Sequence, residues 1–400
     1  MLAFEAWPLE LATGRRAEAL AGAAQALAGA LAAGLGYDGA DQRQRRFDPA
    51  EVKNYLDWSA DAGLDGFWAD RKVAANRAIV AHDEPFAGRG EAGAGAARFR
   101  ISLRRTLDLT RLPSGTPVRL RLPLPPMCEY HPEVSIRPIM PEGLAAHGAI
   151  SESRLETRIT LGEERRFTIG ADLEIQARTP VPDDTVGRLS ETEARIHLRA
   201  AEGPIQVTSR IRALALRLAG VRPPLQAVTA LWEFMIGNFR FSALRYEEMG
   251  DGPAVDRVLE TGVYDCLHCS VVLVSLCRAL GIPARLVTGH YLYRLAPTNH
   301  TWVEIWIDGM GWLALDIHNR ERNRPQFAAG AHWPWHFAER RDFRLVFQRL
   351  PLVFTGPMSV RFPPAWQMLH TGREHGVAIT YLDVSDGSLI YRDDVSVERL

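Results

Sequence analysis

Three side chains in this 400-residue chain could together break and make an acyl bond: Cys266, His300 and Asp316. Gly262-Val263-Tyr264-Asp265-Cys266 is a glycine-containing turn that leads into an apolar run, Cys266 to Leu280. A cysteine at that place opens a helix. The unpaired N–H groups and partial positive charge there favour a thiolate and lower the thiol pKa. The same N–H groups can donate to an oxyanion on an attacked carbonyl. A thiolate nucleophile needs a proton acceptor that can later serve as a donor. His300 heads the strand-like run His300-Thr301-Trp302-Val303-Glu304-Ile305-Trp306. The imidazole in turn needs an orienting group, and Asp316 ends the next strand-like run, Trp312 to Asp316. Joined through Gly309-Met310-Gly311, the two strands form a hairpin that sets His300 beside Asp316. Nucleophile, base and orienter then follow the logic of a catalytic triad, with cysteine as nucleophile.

The elements that must position these residues divide the chain into four parts. Residues 1–95 read as a helical region. Leu20, Leu27, Leu31 and Leu35 share one helical face, and Asp48-Pro49-Ala50-Glu51 is a helix-start signal. The Gly/Ala-rich stretch Gly88 to Ala97 reads as a linker. Residues 98–182 alternate apolar and polar residues and form a small β-rich, sandwich-like domain. Residues 185–320 give helices at Ile211–Leu218, Leu225–Asn238 and Cys266–Leu280. Strands follow at Leu286–Tyr293, Thr301–Ile307 and Trp312–Asp316, an α+β pattern of helices packed on an antiparallel sheet. Residues 321–400 are Pro- and Trp-rich with short strand-like runs, and their role is unassigned.

Composition narrows the function classes. A net charge of −1 argues against nucleic acid or an anionic membrane surface as partner. The Ala-rich stretch Ala17 to Leu35 carries Glu18, Gln25 and several glycines, too polar for a membrane span. An acidic, aromatic start, Phe4-Glu5-Ala6-Trp7, fits a signal peptide poorly. Of the 47 basic residues only Lys53 and Lys72 are lysines, so few amines are on offer for self-crosslinking. Three of the four cysteines, Cys266, Cys269 and Cys277, lie within twelve residues of one another, unlike a secreted disulfide framework. A reducing, cytoplasmic compartment is the expectation.

The motifs around the three residues resemble those of the transglutaminase-like superfamily. Gly262-x-x-x-Cys266, then Leu276-Cys277-Arg278-Ala279-Leu280-Gly281-Ile282-Pro283-Ala284-Arg285 and Gly289, is similar to the family's cysteine-helix signature. His300-x-Trp302-Val303-Glu304 resembles its histidine strand. Gly311-Trp312-x-x-x-Asp316, with Asn319 following, resembles its aspartate strand. Segment 98–180, with Leu122-Pro123-Leu124-Pro125, is similar to the β domain that precedes many bacterial members. The resemblance implies a papain-like core with Cys266 as nucleophile, His300 as proton shuttle and Asp316 as its anchor. The implied substrate is a peptide, amide or thioester, free or held on a carrier protein, and the chemistry calls for no metal or organic cofactor.

The acyl group would pass to water, as in a peptidase or amidase, or to an amine, as in an amide-forming acyltransferase. Other readings stay open: an amide synthase of natural-product assembly, an inactive scaffold, or a redox or metal pair at Cys266-x-x-Cys269. The chain also departs from the family. Cys266-Leu267-His268-Cys269-Ser270 lacks the acid common in bacterial relatives, and Ile317-His318 replaces the common Pro-Thr. No tryptophan lies between Ser242 and Tyr264, so crosslinking of the animal type is not implied and the second oxyanion donor is unassigned.

Overall fold

A computed structural model describes residues 16–35, 37–38, 45–46, 55, 96–110, 113–144, 149–151, 154–178, 186–241, 252–294, 298–317, 343–350, 373–374, 380–381 and 391–400. Helix α1, Arg16–Ala32, covers the Ala-rich stretch. The helix-start signal at Asp48 lies outside the described residues. Among the described residues, no helix is long and apolar enough to cross a membrane.

The β-rich region begins at Ala96, inside the stretch expected to be a linker. β1 (Ala96–Asp108), β2 (Pro117–Pro123), β3 (Glu133–Ile139), β4 (Ala149–Ser151), β5 (Arg154–Thr160) and β6 (Arg166–Arg178) make two antiparallel sheets. β2, β5 and β4 form the smaller one, with β5 in the middle. Alternation on β1 and β6 gives each an inward face. Phe99, Ile101, Leu103 and Leu107 are buried on β1, and Ile169, Leu173 and Ile175 on β6.

The helices follow as α2 (Glu191–His197), α3 (Ser209–Ala219), α4 (Pro224–Asn238), α5 (Ala254–Thr261) and α6 (Cys266–Ala279). The sequence reading found α3, α4 and α6 but not α2 and α5, which are short. Gly262 ends α5 in the left-handed conformation (φ 68°), and the chain turns at once into α6. Every residue of α6 from Leu267 to Ala279 is buried. That is why its sequence is apolar on most faces.

α6 packs on a second four-stranded antiparallel sheet ordered β9-β8-β7-β10. Its strands are β7 (Ala284–Tyr291), β8 (Thr298–Ile307), β9 (Gly311–Leu315) and β10 (Arg344–Leu350). The β8–β9 hairpin is the one expected around Gly309 and Gly311, both at positive φ. The segment beyond residue 320 supplies β10 to this sheet. It also supplies β11 (Tyr391–Arg399), which pairs with β1 and completes the first sheet in the order β11-β1-β6-β3.

β10 carries an irregularity that decides which side chains face the site. Thr288 pairs with Gln348 and Gly289 with Val346, so Phe347 is an extra residue on β10. In a regular strand residues 344 and 349 would point to opposite faces. The bulge brings Arg344, Val346 and Arg349 to one face. Gly289 permits the close approach there, because a Cβ would strike the backbone carbonyl of Leu345 and come 3.1 Å from Trp302.

Candidate active site

Cys266 is the first residue of α6 and is partly exposed. Asp265 is the N-cap: one carboxylate oxygen accepts from the His268 backbone N–H at 2.8 Å and faces His268 Nδ1 at 2.7 Å. This explains the histidine found where relatives carry an acid. It is buried and fastens the cap. Ser270 Oγ lies 2.7 Å from the Cys266 carbonyl and 3.3 Å from the Thr301 carbonyl, so a single hydroxyl bridges the cysteine helix to the histidine strand. The buried Cys269 thiol donates to the Cys266 carbonyl at 3.2 Å. Among the described residues no three His, Cys, Asp or Glu side chains gather as a metal site.

His300, at the head of β8, is 2% exposed, and its Nε2 lies 2.8 Å from Asp316 Oδ2. Asp316 directly follows β9, so the hairpin brings the imidazole and carboxylate together. The Tyr291 hydroxyl donates to the same Oδ2 at 2.6 Å, and its ring stacks on the His300 ring at 4.3 Å. An ion pair from Arg344 Nη1 reaches that oxygen at 2.8 Å. The Asp316 carboxyl is accordingly held well below the usual carboxylate range: burial alone would raise it, but His300, Arg344 and the bond from Tyr291 outweigh burial. Trp302 backs the site, with its ring 6.3 Å from His300 and 6.0 Å from Tyr130.

The expectation of a lowered Cys266 pKa needs correction. Burial pushes the thiol well above its ordinary range, and the negative charges of Asp265 and Asp316 push the same way. The backbone N–H groups of Thr301 and Leu267 oppose this without reversing it. These effects place the sulfur beside the His300–Thr301 peptide and within the field of Asp316. No hydrogen bond joins it to the imidazole among the described residues. His318 and Asn319, which flank the triad in sequence, lie outside the described residues.

Further along the same face, the sheet is tied to the β-rich region by a charged cluster that the sequence did not reveal. Glu304 is buried and pairs with Arg285 at 2.5 Å and Arg349 at 3.3 Å, and Tyr130 hydrogen-bonds it. Glu129 takes the same two arginines at 3.0 and 2.6 Å. His131 accepts the Val346 backbone N–H through Nε2 at 3.0 Å. Arg285 also lies 3.9 Å over the Trp312 ring. Trp302, against Tyr130, thus helps join the two regions. Tyr291 and Arg344 are the residues of the site itself that sequence reasoning missed. The available signal was an arginine inside the apolar run Phe343-Arg344-Leu345-Val346-Phe347.

Residues 212–317 match the transglutaminase-like superfamily. A protein-glutamine gamma-glutamyltransferase of Pseudomonas aeruginosa is 29% identical over 167 residues, covering 36% of this chain. The match spans only 25% of that relative's length. Among solved structures, a candidate cysteine protease from Cytophaga hutchinsonii aligns at TM-score 0.45 and 14% identity, covering 77% of this chain and 92% of that one. The periplasmic domain of TgpA from P. aeruginosa aligns at TM-score 0.33 and 17% identity, covering 60% and 96%. By its matched segment, its α+β core and its motifs, the chain carries over residues 212–317 a domain of the transglutaminase-like superfamily.

Proposed function

We propose that this protein is a cysteine-dependent acyl-transfer enzyme in which Cys266 is the nucleophile, His300 the proton shuttle and Asp316 its anchor. The observation that carries this reading is the buried His300–Asp316 pair at 2.8 Å, together with a cysteine that opens a buried helix and whose thiol meets the Thr301 backbone N–H and the charge of Asp316. Burial and the charges of Asp265 and Asp316 favour the protonated sulfur, so the reaction is drawn from thiol and imidazole. With Nε2 turned to Asp316, the proton passes from sulfur to Nδ1 as sulfur attacks an amide or thioester carbonyl. The tetrahedral intermediate collapses, the leaving amine or thiol takes the proton from His300, and a thioester to Cys266 remains. Water or an amine then attacks that thioester, with His300 as base, and regenerates the thiol.

An amine acceptor is favoured by one finding, the name of the P. aeruginosa relative, which describes acyl transfer from glutamine. Water is at about 55 M, so an amine prevails only where the protein orients it; oriented groups reach effective molarities of about 10⁵ M or more. The substrate is a peptide amide or a thioester, free or carried on a carrier protein. The four unpaired cysteines suit a reducing, cytoplasmic setting.

The test is intact-mass analysis of the protein with glutamine-containing peptides and small acyl thioesters, with and without millimolar primary amine. An acyl adduct on Cys266, absent in Cys266→Ala and released as amide when amine is added, is the expected result. Release as free acid alone would move the assignment to a hydrolase. Undiminished turnover by Cys266→Ala on any accepted donor would overturn the proposal.

A further inference from the structure

We propose that Arg344 and Tyr291 are positioning residues for the acyl-transfer reaction, acting through Asp316 to fix the orientation of the carboxylate and to share its charge. The inference rests on the reading of Cys266, His300 and Asp316 given above.

A single oxygen, Asp316 Oδ2, faces His300 Nε2 at 2.8 Å, Tyr291 Oη at 2.6 Å and Arg344 Nη1 at 2.8 Å. Arg344 is fully buried. Burying a guanidinium is costly unless something on the protein needs it there. Its two aromatic neighbours hold it from either side, with Tyr291 4.7 Å and Trp302 4.8 Å from the guanidinium carbon. Tyr291 and Arg344 are direct cross-strand partners on β7 and β10, and the bulge at Phe347 sets the phase that turns Arg344 to this face. The Tyr291 ring covers the His300 ring, so one residue holds both members of the pair.

The arrangement has an electrostatic consequence. A lone buried carboxylate would draw a proton firmly onto His300. Paired with Arg344 it is nearly neutral as a unit, and the imidazole stays ready both to accept and to release a proton. Among the described residues, the charged or titratable groups around the pair include Tyr291 from β7, Arg344 from β10, and Asp265, Cys266, His268 and Cys269 from α6 and its cap. Removing the positive charge of Arg344 should raise the proton affinity of both His300 and Cys266.

The experiment uses the full chain with ¹⁵N-histidine labelling to follow the His300 titration and tautomer by NMR, and iodoacetamide alkylation of Cys266 as a function of pH. In Arg344→Gln the His300 pKa is expected to rise by about one pH unit or more, as for loss of a charge in contact. The alkylation profile should move to higher pH with it. Arg344→Lys, which keeps the charge, should recover most of that shift. Tyr291→Phe, which keeps the stacked ring and removes only the hydroxyl, should give a smaller shift of the same sign and provides the reading should Arg344→Gln not fold. Variants that lower stability but leave the His300 titration and tautomer as in the wild type would overturn the proposal, since a merely structural arginine does just that. His300→Ala separates this failure from that of the underlying reading. If Cys266 alkylates with the same pH profile without His300, the acyl-transfer reading falls as well. If alkylation depends on His300 but not on Arg344 or Tyr291, only the positioning roles fall.

Discussion

Asp316→Asn should destabilise the protein for a reason separable from catalysis. The substitution keeps size and shape but takes the charge of Asp316 away from the fully buried Arg344 guanidinium. Breaking a buried pair by removing one partner costs about 3–5 kcal/mol. The rings of Tyr291 and Trp302 remain within 4.8 Å of the cation and stabilise it in the variant too. The lower end, about 3 kcal/mol, is therefore expected. That is a large part of a domain stability of about 5–15 kcal/mol. The double variant Asp316→Asn with Arg344→Met removes the buried positive charge as well and fills its place beside the rings, and should regain at least about 2 kcal/mol of the loss. Catalysis should not follow. An amide in place of the triad carboxylate favours the wrong tautomer and costs about 10⁴-fold in turnover, whether or not Arg344 is present. Urea titration followed by tryptophan fluorescence measures the first effect, and acyl-adduct formation on Cys266 the second. A double variant no more stable than Asp316→Asn would refute the reasoning, as would an Asp316→Asn protein within about 1 kcal/mol of wild type.

Two further outcomes are expected. His131 and His197 are held down to about 4, each by burial first and then by nearby arginines, Arg349 for His131 and Arg285 for His197. Because the unfolded chain takes up these protons first, their contribution is complete above about pH 6.5 and is lost as pH falls towards 4. Glu304, held down to about 2 against the cost of its burial by Arg285 and Arg349, adds a second loss between about pH 4.5 and 2. Urea midpoints measured from pH 7 to pH 3 should fall across both windows, and His131→Gln should flatten the first; a midpoint unchanged from pH 6.5 to 4.5 would contradict this. Gly289→Ala would place a Cβ against the Leu345 carbonyl, which as backbone cannot swing aside, and should cost about 1–3 kcal/mol through displacement of β10. A variant as stable as wild type, with an unaltered His300 NMR signal, would show that the bulge yields freely.

The parts of the site that were legible in the sequence are those built locally. The turn at Gly262 and the apolar run of α6 lie within a few residues of each other, and the β8–β9 hairpin closes through a few residues. Cys266, His300 and Asp316 could therefore be named from spacing. The electrostatics could not. A helix N-terminus announces a lowered thiol pKa, but burial and two carboxylates, one of them fifty residues away, reverse the sign. Arg344 was hidden for a related reason. Its partner, Asp316, is 28 residues earlier, and its direction depends on an extra residue in β10 that local alternation cannot show. The clamp on Glu304 joins Glu129 and Tyr130 to Arg285 and Arg349, positions so far apart that no pattern of period two or 3.6 connects them.

The pairing of β11 with β1 bears on how the protein is made. Arg100 on β1 bonds Glu398 on β11 across 298 positions of chain, so the whole catalytic domain must be synthesised before this sheet can close. At about 5–20 residues per second, a nascent chain waits roughly 15–60 seconds with that edge of β1 unpaired. An open strand edge invites pairing with other chains, and charge along it is a common protection. β1 carries Arg98, Arg100 and Arg104 on its outward face, in ion pairs with Glu174 and Asp172 of β6, its neighbour on the other side. Long loops also delay closure, because their ends must find each other before contact gives any return. Completion of the β-rich sheet is thus a late event: until β11 has been made and has found its partner, that edge of β1 stays open to other chains.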